Sequence, residues 1–188
     1  MQFCSHCGAK VSRRIPEGDD RPRYVCDECQ TIHYQNPRVI VGVLPTRDDR
    51  VLLCRRAIEP RKGFWTIPAG FLENGETTLQ GAERETWEEA GARVEQPQLY
   101  RLFDLPHINQ VYIFYRAALA GSDYHPGPES LEVELFAESD IPWSEIAFPV
   151  VNDALKEFFE DYRCGEYPVR VSDVQPLWRK TPQEPPAN

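Results

Sequence analysis

The stretch that decides the fold runs Gly70-Phe71-Leu72-Glu73-Asn74-Gly75-Glu76-Thr77-Thr78-Leu79-Gln80-Gly81-Ala82-Glu83-Arg84-Glu85-Thr86-Trp87-Glu88-Glu89-Ala90-Gly91. Thr77 and Gln80 stand at capping-box spacing and Gly91 offers a stop, so the pattern predicts a helix over residues 77–90. At about 100° per residue, Glu88 lies about −60° and Glu89 about +40° from Glu85. Three carboxylates therefore crowd one third of the helix surface within a single turn. Leu79, Ala82, Thr86 and Ala90 form an apolar stripe directly beside them. Like charges at this spacing repel by a few tenths of a kcal/mol per pair. A solvated acidic face tolerates that cost, whereas a divalent cation turns it into a binding site. Hard oxygen donors at this density suit Mg²⁺ or Mn²⁺.

Working outward, residues 39–44 and 51–54 flank the polar turn Arg47-Asp48-Asp49-Arg50 and read as a β-hairpin, the first run bounded by Pro37 and Pro45. Residues 64–70 form a short apolar segment ended by Pro68 and Gly70. Residues 99–103 and 111–116 read as further strands. Residues 132–136 alternate at period two, which predicts a half-buried strand. Val151, Leu155, Phe158 and Phe159 at helical spacing predict a second helix from Phe148 to about Asp161. A Pro-rich tail follows Cys164. Residues 182–188 have the composition of a disordered end, and Trp178 is an expected interface anchor.

Toward the N-terminus, Cys4-Ser5-His6-Cys7 and, eighteen residues on, Cys26-Asp27-Glu28-Cys29 fit a zinc-ribbon pattern. Each pair of thiolates binds one ion from a tight turn, and four soft donors close a tetrahedron. A redox CxxC and a rubredoxin-like iron site are the alternatives. A module of about 37 residues has almost no core, so the metal would supply most of its folding free energy. Four thiolates saturate such a site, which makes His6 and His33 bystanders. Cys54, inside an apolar run, and Cys164 stand alone. This is not a secreted disulfide framework, and paired cysteines in a reducing compartment more often hold metal.

At 188 residues and 41% hydrophobic, the chain fits one full domain and excludes wholesale disorder. Residues 1–38 sum to near +1 and the rest to about −10, for a net charge of −9. So acidic a chain argues against a non-specific nucleic-acid partner, which needs a positive field. No apolar run approaches the roughly 18 residues of a membrane span, and no signal peptide precedes Cys4, so a soluble, cytoplasmic protein without a membrane partner is expected. A turn dipeptide at Asn36-Pro37 suggests three parts: a ribbon over 1–37, a main domain over 38–165 and a tail over 166–188.

The helix segment resembles the Nudix box, G-x5-E-x7-R-E-U-x-E-E-x-G-U, where U is a bulky aliphatic residue. Gly70, Glu76, Arg84, Glu85, Glu88, Glu89 and Gly91 all match; Thr86 and Ala92 stand at the U positions. Arg55, Arg56 and the lead-in Trp65-Thr66-Ile67-Pro68-Ala69 are similar to the strands before such a box. The ribbon running into Ile32-His33-Tyr34-Gln35-Asn36-Pro37 resembles the zinc-ribbon branch of the family. The resemblance implies an α+β fold, an α/β/α sandwich around a mixed sheet, preceded by a small zinc ribbon. It implies a hydrolase that cleaves the pyrophosphate of a nucleoside diphosphate linked to another moiety, using Mg²⁺ or Mn²⁺, with structural Zn²⁺ on Cys4, Cys7, Cys26 and Cys29. Glu85, Glu88, Glu89 and the Ala69 carbonyl would be metal ligands. Glu76 would brace Arg84, itself placed among the catalytic residues.

Family enzymes take a further carboxylate from outside the box. Glu129-Ser130-Leu131-Glu132-Val133-Glu134-Leu135-Phe136 resembles the family's E-x-x-E-A-x-W-F segment, which points to Glu129 first and Glu132 second, delivered by a mobile loop. Arg55, Arg56 and Glu132 are the expected substrate contacts. The branch specific for NAD(H) carries S-Q-P-W-P-F after its box; here the stretch reads Asp104-Leu105-Pro106-His107-Ile108-Asn109-Gln110. That favours ADP-ribose or FAD over NADH. Phe64, Trp65, Tyr112 and Tyr115 are candidates to stack a base, although each also suits a core, and His107 is a further candidate contact. A homodimer is expected from the family. The alternative reading is a non-catalytic ligand sensor or a ribbon that binds nucleic acid.

Overall fold

The structure, a computed structural model, describes residues 1–174. Trp178 and residues 182–188 lie outside the described residues. The chain divides into two compact units, Met1–Pro37 and the remainder from Arg38.

In the first unit β1 (Val11–Arg14), β2 (Arg23–Cys26) and β3 (Ile32–His33) form an antiparallel sheet in that order. Its buried apolar side chains are Cys4, Val25 and Cys26. Two of these three are cysteines, so hydrophobic burial contributes little and the thiol cluster is the centre of the unit. Asp19 closes the β1–β2 turn: it accepts from the Asp20 and Arg21 amides and from Arg23 Nε at 2.8 Å. The Arg23 hydrogen bond draws its carboxyl down to about 2.

The second unit is a mixed sheet between two helices. Its strands are β4 (Arg38–Arg47), β5 (Arg50–Arg56), β6 (Trp65–Thr66), β7 (Ala69–Phe71), β8 (Val94–Leu105), β9 (Gln110–Leu119), β10 (Ser130–Ala137) and β11 (Arg170–Asp173). The order is β10-β5-β4-β9-β8-β11, with β6 on β5 and β7 on β4. The β4–β5 hairpin turns at Asp48-Asp49, as the polar turn predicts. β4 continues through Pro45 instead of stopping there. Pro45 sits between the part of β4 paired with β7 and the part paired with β5, where a missing N–H disrupts no rung on that side. Central β4 runs parallel to β9 and is covered on both faces, which explains its unbroken apolar run.

Helix α1 (Thr78–Ala90) has the full capping box on Thr77 and Gln80 and ends at Gly91 in the left-handed conformation. Ala82 packs with Val41, Val43 and Ala117, and Ala90 with Leu52, Cys54, Ala92 and Val133. Helix α2 (Pro149–Cys164) covers the other face, where Val151, Leu155, Phe158 and Phe159 join Leu44, Leu53, Phe103 and Phe114. It runs one turn beyond the expected end, to a Gly165 cap. Within the segment expected as a tail, β11 adds to β8 in parallel. An ionic knot holds it there. Arg101, fully buried on β8, and Arg170 on β11 both bond Asp161 of α2, and Tyr100 donates to the same carboxylate at 2.8 Å.

Candidate active site

Short β7 and helix α1 create the site by lying against each other. Gly70 permits the close approach: a Cβ at that position would stand 2.2 Å from a Glu85 oxygen, so the carboxylate would have to swing aside. One residue earlier, the Ala69 amide donates to Glu89 Oε2 at 3.0 Å. The strand that carries the expected carbonyl ligand, Ala69, is thus placed against Glu85 and Glu89. Glu89 is 6% exposed, and burial pushes its carboxyl up to about 8. Burial also raises Glu85, against the opposing pull of Arg84. Thr86, at an aliphatic position of the box, is buried and satisfies its hydroxyl on the Ala82 carbonyl at 2.8 Å.

Arg84 is the hub of the acidic face. Its Nε and Nη2 donate to Glu76 at 3.0 and 2.8 Å, and Nη1 donates to Glu85 at 2.8 Å and Glu88 at 2.9 Å. Nη2 also reaches the Phe71 carbonyl at 3.2 Å. The Arg84 hydrogen bonds hold Glu76 down at about 2, with help from the Glu73 amide. These bonds tie the loop that carries Glu76 and Phe71 to the helix, the bracing geometry expected of the Glu76–Arg84 pair. Glu88 is the most exposed of the three helix carboxylates and takes its bond from Arg84. Burial and bracing both vary along one acidic stripe, and a helical projection cannot show either.

Outside the box the structure separates the two expected acids. The Glu129 charge adds a little to the cost of ionising both Glu85 and Glu89, and its segment reaches the end of α1, where Gly127 N–H donates to the Glu89 carbonyl at 3.0 Å. Its backbone is tied to the residue after β5: the Glu129 carbonyl accepts from Ala57 N–H at 2.8 Å. Glu132 instead pairs with Arg55 at 2.9 Å, and Arg55 also donates to the Gly63 carbonyl. Cys54 faces α1 and Arg55 is its alternating neighbour, so the Arg55–Glu132 pair lies on the sheet face away from the acidic cluster. Arg56 reaches further. Its charge is felt by Glu89 and by Tyr112, and its guanidinium lies 5.2 Å from the centre of the Phe148 ring.

Near Arg56 is a hollow of about 110 Å³ lined by Leu105, His107, Ile108, Tyr112, Phe148, Pro149, Val150 and Val174. Of the four aromatics considered for stacking a base, only Tyr112 lines it. Trp65 is core, edge-on to Phe136 at 4.9 Å, and Tyr115 Oη bonds Thr78 Oγ1 at 2.7 Å. His107 does line it. Phe148 was legible only as the start of a helix, because its place at the hollow depends on how α2 packs.

The donor chemistry at the α1–β7 contact fits a hard divalent cation: oxygen ligands only, with several carboxylates gathered around one arginine. The cysteine cluster fits a soft one. Sγ atoms of Cys4, Cys7, Cys26 and Cys29 lie within 4.8 Å of one another, the one such metal-ready group among the described residues. His33 Nε2 lies 3.3 Å from Cys4 Sγ, next to the ligands without adding to the tetrahedron. Thr31, through its hydroxyl and its amide, lowers the Cys29 thiol to about 6, while against the pull of the Ala9 amide the contacts with Cys26 and Cys29 push the Cys7 thiol up to about 12, so the protons leave this cluster unequally.

Residues 2–35 match the family described as Nudix N-terminal, the zinc ribbon, and residues 36–160 match the NUDIX domain. A crystal structure of a NUDIX hydrolase from Nitrosomonas europaea is 56% identical, covers 93% of this chain and 99% of its own, and superposes with a TM-score of 0.89. The NAD-capped RNA hydrolase NudC of Stutzerimonas stutzeri is 33% identical over 70% of this chain and 46% of its own. An ADP-ribose pyrophosphatase of Methanocaldococcus jannaschii is 27% identical over 72% of this chain and 78% of its own. The chain spans about half the length of the NudC relatives it matches.

Proposed function

The chain belongs to the NUDIX hydrolase family and carries that family's zinc ribbon, and on that premise we propose that it hydrolyses the pyrophosphate bond of ADP-ribose or FAD. The observation that supports this most directly is the packing of Glu85 against Gly70 and of Glu89 against the Ala69 amide, which sets two carboxylates beside the expected Ala69 carbonyl. A divalent cation there would polarise the phosphorus, offset charge on the leaving phosphate and lower the pKa of an attacking water. In this reading Glu85, Glu88, Glu89 and the Ala69 carbonyl hold Mg²⁺ or Mn²⁺. Glu129 arrives from a different element and orients the water. Glu76 and Arg84 keep β7 and α1 in register. Arg56 extends from Glu89 toward the aromatic hollow, so it can hold a phosphate while Tyr112 and Phe148 receive a planar ring. The protein is taken to be a cytoplasmic homodimer, on family likeness.

The substrate rests on two observations. The stretch over residues 104–110 lacks the NAD(H)-specific motif, and one relative is named an ADP-ribose pyrophosphatase. The NudC relatives favour NADH or an NAD-capped RNA as the competing reading. Product analysis over ADP-ribose, FAD, NADH and NAD-capped RNA with Mg²⁺ decides. AMP with ribose 5-phosphate, or AMP with FMN, is the expected outcome. Preferential cleavage of NADH or of capped RNA replaces the proposed substrate. Failure to cleave any of them, together with salt-sensitive DNA binding, replaces the enzyme with a sensor.

A further inference from the structure

Between β9 and β10 the chain crosses the C-terminal end of α1. The helix stops at Gly91, and the carbonyls of its last turn have no partner within the helix. The crossing segment supplies two. His125 N–H donates to the Ala90 carbonyl at 2.8 Å, and Gly127 N–H donates to the Glu89 carbonyl at 3.0 Å. The His125 ring fills the space over Gly91 and meets the Trp87 ring edge-on at 6.2 Å. The chain then folds back: Ser130 N–H reaches the Gly127 carbonyl at 3.0 Å and Ala57 N–H reaches the Glu129 carbonyl at 2.8 Å. The backbone at Glu129 is therefore held from both sides, by the helix through Gly127 and by Ala57, the residue that follows β5.

This docking needs a residue without a side chain. A Cβ on Gly127 would fall 1.6 Å from the Glu88 carbonyl oxygen, a backbone atom that cannot swing aside. We propose that Gly127, assisted by His125, is a positioning residue that docks this segment on the metal-binding turn of α1 and so presents Glu129 to Glu85 and Glu89. The inference rests on the hydrolase reading above, in which Glu129 completes the carboxylate set. A carboxylate on a loose loop must be ordered at each binding event, which weakens the site; a docked one is ordered by the fold.

The test is Mn²⁺ binding to the full chain, read as the free Mn²⁺ signal in electron paramagnetic resonance, beside the Mg²⁺ dependence of turnover. Gly127→Ala, Glu129→Gln and the double variant are compared with the wild type, with Ser122→Ala as a control in the same segment. Gly127→Ala and Glu129→Gln are each expected to raise the Mn²⁺ Kd about tenfold or more, the scale of losing an orienting partner of a metal ligand. The double variant should be no worse than the weaker-binding single one, because both remove the same carboxylate from the site. Wild-type affinity in Gly127→Ala alone overturns the positioning role, as does full additivity with Glu129→Gln. Wild-type affinity in both singles overturns the role of Glu129 itself. Inserting one glycine between Gly127 and Pro128 repeats the test without adding a side chain: helix docking stays and the tether lengthens. That variant is expected to lose affinity likewise, and wild-type affinity in it overturns the proposal.

Discussion

Glu88 and Glu89 are neighbours in sequence with opposite surroundings, one mostly exposed against Arg84, the other buried under the Ala69 amide. Each Glu→Gln change removes charge from a proposed metal ligand without opening a cavity. Turnover should fall at least about a hundredfold in both, with near-normal far-UV circular dichroism. Wild-type rates in both variants would sink the metal assignment. The two differ in a second readout. Burial raises Glu89 from its ordinary 4.5 to about 8, so the folded protein holds that proton more tightly than the unfolded chain. The associated stability is fully present below about pH 4.5 and is lost as pH rises through 8. Without added divalent cation, the wild type should therefore lose melting temperature across that window relative to Glu89→Gln. A constant difference between the two at every pH would contradict this origin of the shift.

Among the elements, β11 was the least legible. Its four residues look like part of a Pro-rich tail, and the reason they pair lies in Arg101 of β8 and Asp161 of α2. Burial works against the Asp161 charge, but hydrogen bonds from Arg170, Tyr100 and Arg101 outweigh it and keep the carboxyl below its usual range. Removing it takes from buried Arg101 one of its two carboxylates, the other being Glu157, and strips Tyr100 and Arg170 of the same partner. Asp161→Ala should cost about 3–5 kcal/mol in chemical denaturation, while metal affinity of the folded protein stays unchanged. A loss under about 1 kcal/mol, as for an exposed pair, would show that the knot is incidental. Because the depressed carboxyl favours the charged form, the knot's contribution is present above the ordinary 3.8 and fades as pH drops further.

On the scale of the whole molecule, two compact units carry donors of opposite softness. Elemental analysis should find about one zinc per chain; metal-free thiols or two disulfides would end the ribbon reading. Calorimetry should then separate the two metals. Stripping zinc should abolish the transition of residues 1–37, whose apolar core is too small to stand alone. Added Mg²⁺ should raise only the transition of the larger unit, by ligand linkage. Mg²⁺ stabilising the zinc-free ribbon would contradict the division.

The residues alone determined what depends on local order. The capping box on Thr77 and Gln80, the acidic stripe, the β4–β5 turn and the two cysteine knuckles are each written within a few residues, and their periodicity or ligand spacing survives any packing. Only the tertiary structure decided what depends on partners distant in sequence. The Glu76–Arg84 brace was expected, but its reach to Glu85, Glu88 and the Phe71 carbonyl came only from the loop folding back onto the helix. Glu129 and Glu132, three residues apart, parted because a bulge at the start of β10 and the Arg55 guanidinium claimed one of them. Gly127 gained its meaning only where its amide met the end of α1. Burial, ion pairing and close backbone approach are pair properties, and a sequence read one residue at a time names only one member of each pair.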